Sequence, residues 1–446
     1  MVNLQNGLIA LVSMIVVLGI MIFVHEWGHF IAAKLSGVRV DVFSFGFGTR
    51  LFGFKWGETD YRLSALPFGG YVRMAGDNPV EERTGGSFEF LSKPRWVRVM
   101  IAVAGPAMNV LLALFIYWGI FWWMGIPVPT YFRQAADVAA VPEFTPVVSG
   151  VQAGDRIISV NGAKTPTWSD VYTKLKAVNA GSTIQLGVTR HGTDQTLTAT
   201  APAKLDAEAD RLVGYPLVPP VTEEVGIGTP AERAGLKGGD FFLSIGGKQV
   251  STWAQLVDMV RHSDGQPIPF VVRRDGKEVA ITITPMRGLD PLTGDQVWQI
   301  GVSPHLEDDY QRQPFLESAK DAGIATLGGM KQIAGVLGGL FTGKVSMREL
   351  QGIVGIARES GRAAKSGPMR LIELMAVISL NLGLLNLLPI PILDGGHVLL
   401  LAIEGALRRD LSIAVKERFV QVGLVFLLGI FAFVMYSDIL KLIQSH

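Results

Sequence analysis

Apolar residues are concentrated in four stretches of this chain, each long enough to cross a bilayer as a helix. The first, Leu8 to Val24, runs directly into a polar motif, and the others are Val99–Met124, Leu371–Leu388 and Phe419–Met435. Residues 1–7 carry no basic group and no cleavage site follows, so we expect this stretch to be a span and not a signal peptide. The pattern predicts a polytopic α-helical membrane protein with four transmembrane helices.

Basic residues are concentrated in loops that would all lie on one side of the membrane. They cluster at residues 34–55, 93–98 and 408–418. Because loops rich in Lys and Arg stay in the cytoplasm, both termini and the long segment between the second and third spans are predicted to lie outside.

Between Arg39 and Met74 the pattern becomes strand-like, with short apolar runs separated by glycines. It predicts a short sheet or hairpin beside the first span. Its apolar side chains are compatible with ordinary packing. They are equally compatible with a re-entrant β-hairpin that dips into the membrane and offers an edge strand to a substrate.

The long segment after the second span contains an internal repeat. Residues 145–162 recur as residues 229–247, and Asp155 and Asp240 are 85 positions apart. The two copies resemble tandem PDZ domains, which bind extended peptides or C-terminal carboxylates by strand addition. A simpler alternative is a pair of packed spacers without a ligand.

The chain is therefore expected to contain five regions. In order these are a membrane core with the first two spans at 1–127, a first PDZ domain at 128–220, a second PDZ domain at 221–310, an amphipathic juxtamembrane segment at 311–370 and the last two spans at 371–446.

Composition agrees with a membrane protein that carries a soluble part. Of 446 residues, 49% are hydrophobic and 18% are charged, and the mean hydropathy is +0.34. A net charge of +1 without a basic block argues against nucleic acid as a partner, because phosphate binding requires a basic surface. There is no cysteine, so a zinc ion would have to be held by histidine and carboxylate.

The strongest chemical signal is His25-Glu26-Trp27-Gly28-His29 at the end of the first apolar run. On a helix, His25 and His29 project from one face and can bind the same ion, and Glu26 lies beside them as a candidate general base. Ionisable groups at membrane depth are costly, which favours a functional site over two buried core histidines.

A third ligand is predicted after the third span. The segment 386–397 holds two prolines and two glycines around Asp394, and a broken helix at membrane depth must line a cavity or be buried in protein. Asp394 would complete a three-ligand catalytic zinc site, with His397 as its competitor. Two non-enzymatic alternatives remain, a membrane-tethered PDZ scaffold with a non-catalytic metal site and a zinc carrier.

Taken together, HEWGH in the first span, the run from Asn386 through Pro389 to Asp394-Gly395 and the paired repeats resemble the site-2 protease family of intramembrane zinc metalloproteases. One departure is Gln351-Gly352-Ile353, where the family usually has Ser-Gly-Pro.

The resemblance implies a bacterial inner-membrane endopeptidase with periplasmic PDZ domains and an active site toward the cytoplasm, acting in an envelope stress response. It implies zinc at His25, His29 and Asp394. The implied substrates are single-span membrane proteins, namely an anti-sigma factor already trimmed outside, or remnant signal peptides. The residues implied in substrate binding are Asn386, Gly46, Gly48 and Pro389.

Overall fold

The computed structural model describes residues 2–78, 84–144, 149–202, 209–226, 228–289, 296–306, 308–343 and 352–444. These residues form two compact units, and each is described here by itself. Residues 1–125 and 312–440 form the membrane unit, and residues 126–311 form the repeat unit. Residues 145–148 of the first repeat motif, and Gln351, lie outside the described residues.

The helices are, in chain order, α1 (Val2–Leu35), α2 (Arg95–Trp123), α3 (Trp168–Lys176), α4 (Asp210–Val213), α5 (Pro230–Arg233), α6 (Trp253–Arg261), α7 (Phe315–Phe341), α8 (Ile353–Ser366), α9 (Pro368–Asn386), α10 (Asp394–Leu407) and α11 (Ile413–Gln444). The strands are β1 (Val40–Trp56), β2 (Thr59–Met74), β3 (Ile126–Pro129), β4 (Arg156–Val160), β5 (Ala163–Lys164), β6 (Thr183–Arg190), β7 (Thr193–Thr200), β8 (Thr222–Val225), β9 (Phe241–Ile245), β10 (Lys248–Gln249), β11 (Ile268–Arg274), β12 (Lys277–Ile283), β13 (Met286–Leu289), β14 (Gln296–Gln299), β15 (Val302–Pro304) and β16 (Asp308–Gln311).

Four helices of the described chain are long and apolar enough to cross a membrane, which confirms the predicted polytopic architecture. Their candidate spans are Gln5–Leu35, Arg95–Trp123, Pro368–Asn386 and Ile413–Ile439. The third of these spans, helix α9, ends two residues earlier than predicted. Pro389 explains this end, because proline disfavours the α conformation in the residue that precedes it.

Small residues let α1 and α2 approach closely in the membrane unit. A side chain on Gly28 of α1 would collide with the Ala104 carbonyl and with Met108 of α2. For the next residue of α1, His29, Gly105 of α2 leaves room for the ring in the same way. Close approach through glycine is typical of helix pairs in membranes, and here it brings α2 against the face that carries the histidines.

The region between the first two spans is an antiparallel β1–β2 hairpin, longer than the short one expected. The first half of β1 is paired on both sides, so that Phe43 registers with Val72 and also with Tyr61. Both strands therefore fold back on themselves. Gly46 and Gly48 have positive φ angles of 91° and 85°, and a side chain on Gly46 would meet the Leu66 carbonyl, so this bend requires glycine.

The duplicated sequence folds as a duplicated topology in the repeat unit. One four-stranded sheet has the order β5-β4-β6-β7 and the other has the order β10-β9-β11-β12. Each copy places a helix after its second strand, α3 or α6. Thr167 and Thr252 cap these helices by accepting a hydrogen bond from the backbone three residues on. Each copy has its own apolar core, around Trp168 in the first and around Phe242 in the second.

The segment predicted to be amphipathic and juxtamembrane contains α7 and α8. Helix α7 contacts α2 and α9, and α8 contacts α1 and α9. Apolar side chains of α7 nonetheless remain exposed, among them Leu316, Ile324 and Leu327. Both helices therefore belong to the membrane unit and brace the spans that carry the candidate site.

Candidate metal centre

His25 and His29 lie one turn apart on α1 and are both buried. Their Nε2 atoms are 3.2 Å from each other. Residues four apart on a helix share a face, which is why the sequence pattern alone is sufficient to bring the two rings together.

Asp394 is brought to this pair by the break between α9 and α10. Ile392 adopts a left-handed φ of 84°, which is unusual for a β-branched residue. Gly395 and Gly396 pack so tightly against the carbonyls of residues 387–390 that no side chain would fit. The compact turn presents Asp394 as the first residue of α10, where the helix N-terminus favours a negative charge.

The donor atoms of these three residues form a small triangle. The Asp394 Oδ2 lies 3.1 Å from His25 Nε2, and its Oδ1 lies 3.4 Å from His29 Nε2. A tetrahedral zinc ion with bonds of about 2.0–2.1 Å places its donors about 3.3–3.4 Å apart. Two imidazoles and one carboxylate are also a donor set that zinc prefers, so the residues present fit this ion. Among the described residues, this is the cluster that could hold a metal ion.

Each histidine ring is also contacted from α2 through its other nitrogen. His29 Nδ1 lies 2.8 Å from the carbonyl oxygen of Ile101. His25 Nδ1 lies 3.3 Å from the side-chain amide of Asn109, which is completely buried. The sequence alone does not identify this contact of Asn109. The signal that could have revealed its polar contact was an asparagine four residues after Gly105, on the face that meets α1.

Glu26 lies next to the pair but outside the donor triangle. The Glu26 side chain approaches Gly70 of β2 so closely that a side chain on Gly70 would be crowded by the Glu26 Cγ. The backbone of Val72, also on β2, hydrogen-bonds with the Glu26 carboxylate. Glu26, His25, His29 and Asp394 all line one cavity of about 910 Å³. The hairpin therefore forms one wall of the site.

The other predicted residues are distributed unevenly around this cavity. Asn386, the last residue of α9, lines it, and its Nδ2 lies 3.5 Å from His25 Nε2. His397 also lines the cavity but is not part of the donor cluster. Gly46, Gly48 and Pro389 are not among the described residues that line this cavity.

The opposite part of the cavity wall is charged. Arg98, Glu404 and Lys416 line it, and Glu404 accepts from the Lys416 ammonium at 2.7 Å and from the Leu411 backbone at 3.0 Å. The cavity thus extends from the donor triangle to an ion pair between α10 and α11.

Comparison with known proteins gives one consistent result. A model of peptidase family M50 matches residues 13–430. The chain is 32% identical over 460 residues to the Regulator of sigma-E protease RseP of Escherichia coli strain K12, which covers 97% of this chain and 98% of that protein. It is 32% identical to Protease RseP of Yersinia pestis, with 97% and 99% covered. It is 30% identical to a putative zinc metalloprotease of Vibrio cholerae, with 97% and 98% covered.

Proposed function

Because this chain belongs to peptidase family M50 and is a zinc metalloprotease, we propose that it hydrolyses peptide bonds inside the transmembrane segments of single-span membrane proteins. The observation that carries the proposal is the donor triangle of His25, His29 and Asp394, built on helices of spanning length and flanked by Glu26. The family membership favours an enzyme over the scaffold and carrier alternatives.

In this proposal His25, His29 and Asp394 hold the zinc ion. Zinc bound there supplies a Lewis acid that polarises the scissile carbonyl and makes water more acidic. Glu26 takes a proton from the water that attacks the carbonyl carbon, and gives it to the leaving nitrogen as the C–N bond breaks. Asn386, whose Nδ2 lies 3.5 Å from His25 Nε2, would donate a hydrogen bond to the carbonyl that is being attacked.

A transmembrane helix must unwind before its peptide bonds can be cut, since its carbonyls are engaged in helix hydrogen bonds. We propose that the β1–β2 hairpin is re-entrant and receives the unwound segment by strand addition. Exposed apolar side chains on β1 support membrane insertion, because Leu51, Phe52, Phe54 and Trp56 are each more than half exposed. Gly46, Gly48 and Pro389 would then contact the substrate backbone away from the zinc residues.

We further propose that the two repeats are PDZ domains at 128–220 and 221–310, and that they lie on the periplasmic side of the inner membrane. Their identical strand orders support a common fold. As folded modules next to the membrane, they would exclude substrates with a bulky outer domain and admit trimmed ones.

Since one relative is named a regulator of sigma-E protease, a trimmed anti-sigma factor is the proposed substrate, and signal-peptide remnants are a second class.

The test is cleavage of a model single-span protein by the full-length chain purified in detergent. Cleavage should stop when zinc is removed with a chelator and should resume when zinc is restored. Glu26→Gln serves as the matched control, since it keeps the proposed ligands. Chelator-resistant cleavage would contradict zinc-dependent hydrolysis by this chain, and equal cleavage by the control would contradict the general-base role of Glu26.

A further inference from the structure

The two zinc-site histidines are held in different ways at the nitrogen that faces away from Asp394. His29 Nδ1 faces a backbone carbonyl, that of Ile101, at 2.8 Å. A carbonyl can only accept a hydrogen bond, so His29 carries a proton on Nδ1, and the neutral ring then presents an Nε2 lone pair. His25 Nδ1 instead faces the amide of Asn109, a group that can either donate or accept.

The amide of Asn109 has two possible orientations. With Nδ2 toward His25, it donates to Nδ1, and the ring then carries its proton on Nε2, the atom that faces Asp394 at 3.1 Å. With the amide turned by 180°, Oδ1 accepts from Nδ1–H and the Nε2 lone pair becomes available. Amide nitrogen and oxygen are exchanged by such a turn without any other movement.

Burial makes this choice consequential. Asn109 is completely buried in a helix of spanning length, and the Asn109 Oδ1 has no partner among the described residues. An unmatched polar atom there is costly in either orientation, so the far side of the amide does not decide between the two. The contact with His25 decides, because in the first orientation Nε2–H excludes a metal ion and in the second it does not.

We propose that Asn109 is a positioning residue for His25, and that its amide oxygen fixes the tautomer in which His25 binds zinc. The inference rests on the proposed function, since it takes His25 as a ligand through Nε2. It predicts an asymmetric site. His29 is preset by the backbone, whereas His25 offers its Nε2 lone pair only with the Asn109 amide oxygen toward the ring.

The test compares three variants of the full-length protein purified in detergent. Asn109→Leu keeps the branching at Cγ and removes both hydrogen-bonding atoms. Asn109→Asp supplies acceptor oxygens at the same place. Ser379→Ala is the control, because Ser379 Oγ donates to the Asn109 backbone carbonyl at 2.9 Å and does not contact His25.

The dissociation constant for zinc is measured by competition with a chelator, without substrate, and the absorption spectrum of cobalt-substituted protein reports the ligand geometry. We expect Asn109→Leu to weaken zinc binding about 10- to 100-fold and to change the cobalt spectrum, as is typical when a ligand's hydrogen-bond partner is lost. Asn109→Asp should retain most of the affinity, and Ser379→Ala should match the unmodified chain.

Three outcomes would overturn the proposal. They are unchanged affinity in Asn109→Leu, equal loss in Asn109→Asp and Asn109→Leu, or an equal loss in the Ser379→Ala control. Thermal unfolding of the zinc-free proteins separates folding defects from binding defects, and Asn109→Ala replaces the leucine variant if that chain does not fold.

His25→Ala tests the proposed metal site separately from the proposed role of Asn109. If it leaves zinc binding intact, the proposed metal site is wrong. If it abolishes binding while Asn109→Leu does not, only the role of Asn109 is wrong.

Discussion

Asp240 in the repeat unit and Asp394 in the membrane unit are both acids with little exposure, and their partners differ. Both oxygens of Asp240 accept from the Arg274 guanidinium, at 2.7 and 2.6 Å, and one also accepts from the Lys237 backbone. The oxygens of Asp394 face His25 and His29. Arginine is always charged and pairs with the first charge, whereas histidines that offer Nε2 lone pairs leave the second charge available for a cation.

The first repeat shows that the arginine pair belongs to the repeat fold. Asp155 is bound in the same bidentate way by Arg190, at 2.8 and 2.7 Å, and each arginine also donates to the carbonyl of a glycine five residues before its aspartate. A buried acid paired with arginine therefore stabilises a loop. A buried acid that faces two histidines is suited to binding a metal, and the following predictions test that distinction.

The largest effect is expected at Asp394. Asp394→Asn keeps the shape and removes the negative charge, so the variant should lose both zinc and activity while remaining folded. His397→Ala should retain most of its zinc, because His397 is outside the donor cluster. Metal content per chain after dialysis, with thermal unfolding as the folding control, checks both. Zinc lost in His397→Ala and kept in Asp394→Asn would reassign the third ligand.

The next largest effect is expected at Glu26, whose carboxylate lies outside the donor triangle. Glu26→Gln should bind zinc normally and should lower the cleavage rate about 10²- to 10⁴-fold, the usual contribution of a general base. Zinc content and turnover are measured on the same preparation. More than about a hundredth of the original rate in this variant would contradict the general-base role.

In the repeat unit the corresponding change should affect stability and not chemistry. Arg274→Met leaves the buried Asp240 charge unpaired, which should destabilise the second repeat by about 3 kcal/mol, the lower end of the range for a broken buried pair, since the Arg274 side chain is 22% exposed. Hydrogen exchange of β9 and β11 in the full-length protein measures this. Lys277→Met, at an exposed position on β12, is the control. Loss of zinc in Arg274→Met would break the comparison.

A smaller effect is expected from acid. The hydrogen bonds from Arg190 hold the pKa of Asp155 below its ordinary value of 3.8. A lowered pKa contributes stability above the ordinary value, and that contribution is lost as the pH falls through the lowered pKa. Exchange protection of β4 and β6 should therefore decrease below about pH 4. In Arg190→Met this acid-dependent loss should disappear, because the pKa of Asp155 is lowered mainly by the arginine, and an unchanged pH profile would contradict the pairing.

The smallest effect on the metal is expected from removing the repeats altogether. Replacing Val128 to Leu306 by a flexible linker should leave zinc bound, because the donor triangle lies within the membrane unit. Under the proposed exclusion role, the shortened protein should also cut untrimmed substrate. Rates for trimmed and untrimmed substrates in both proteins decide this. If the folded, zinc-loaded deletion cuts neither, the repeats present substrates and do not exclude them.

The sequence predicted those features that depend on local spacing. His25 and His29 are four residues apart on a helix, and the proline-glycine run around Asp394 requires a break, so both could be inferred without a structure. The contacts of Asn109 and of the Ile101 carbonyl depend on how α2 packs against α1. The double pairing of β1 likewise depends on bends at glycines, and periodicity gives no register for such a strand.

The most direct test of the central claim is the position of the cut in a single-span substrate, determined by mass spectrometry after digestion in water enriched with oxygen-18. Hydrolysis at the proposed centre should produce fragments whose new termini lie inside the apolar segment of the substrate, with one heavy oxygen in the new carboxyl group, and Glu26→Gln should yield neither fragment. Cleavage confined to the polar flanks of the substrate would contradict an intramembrane peptidase.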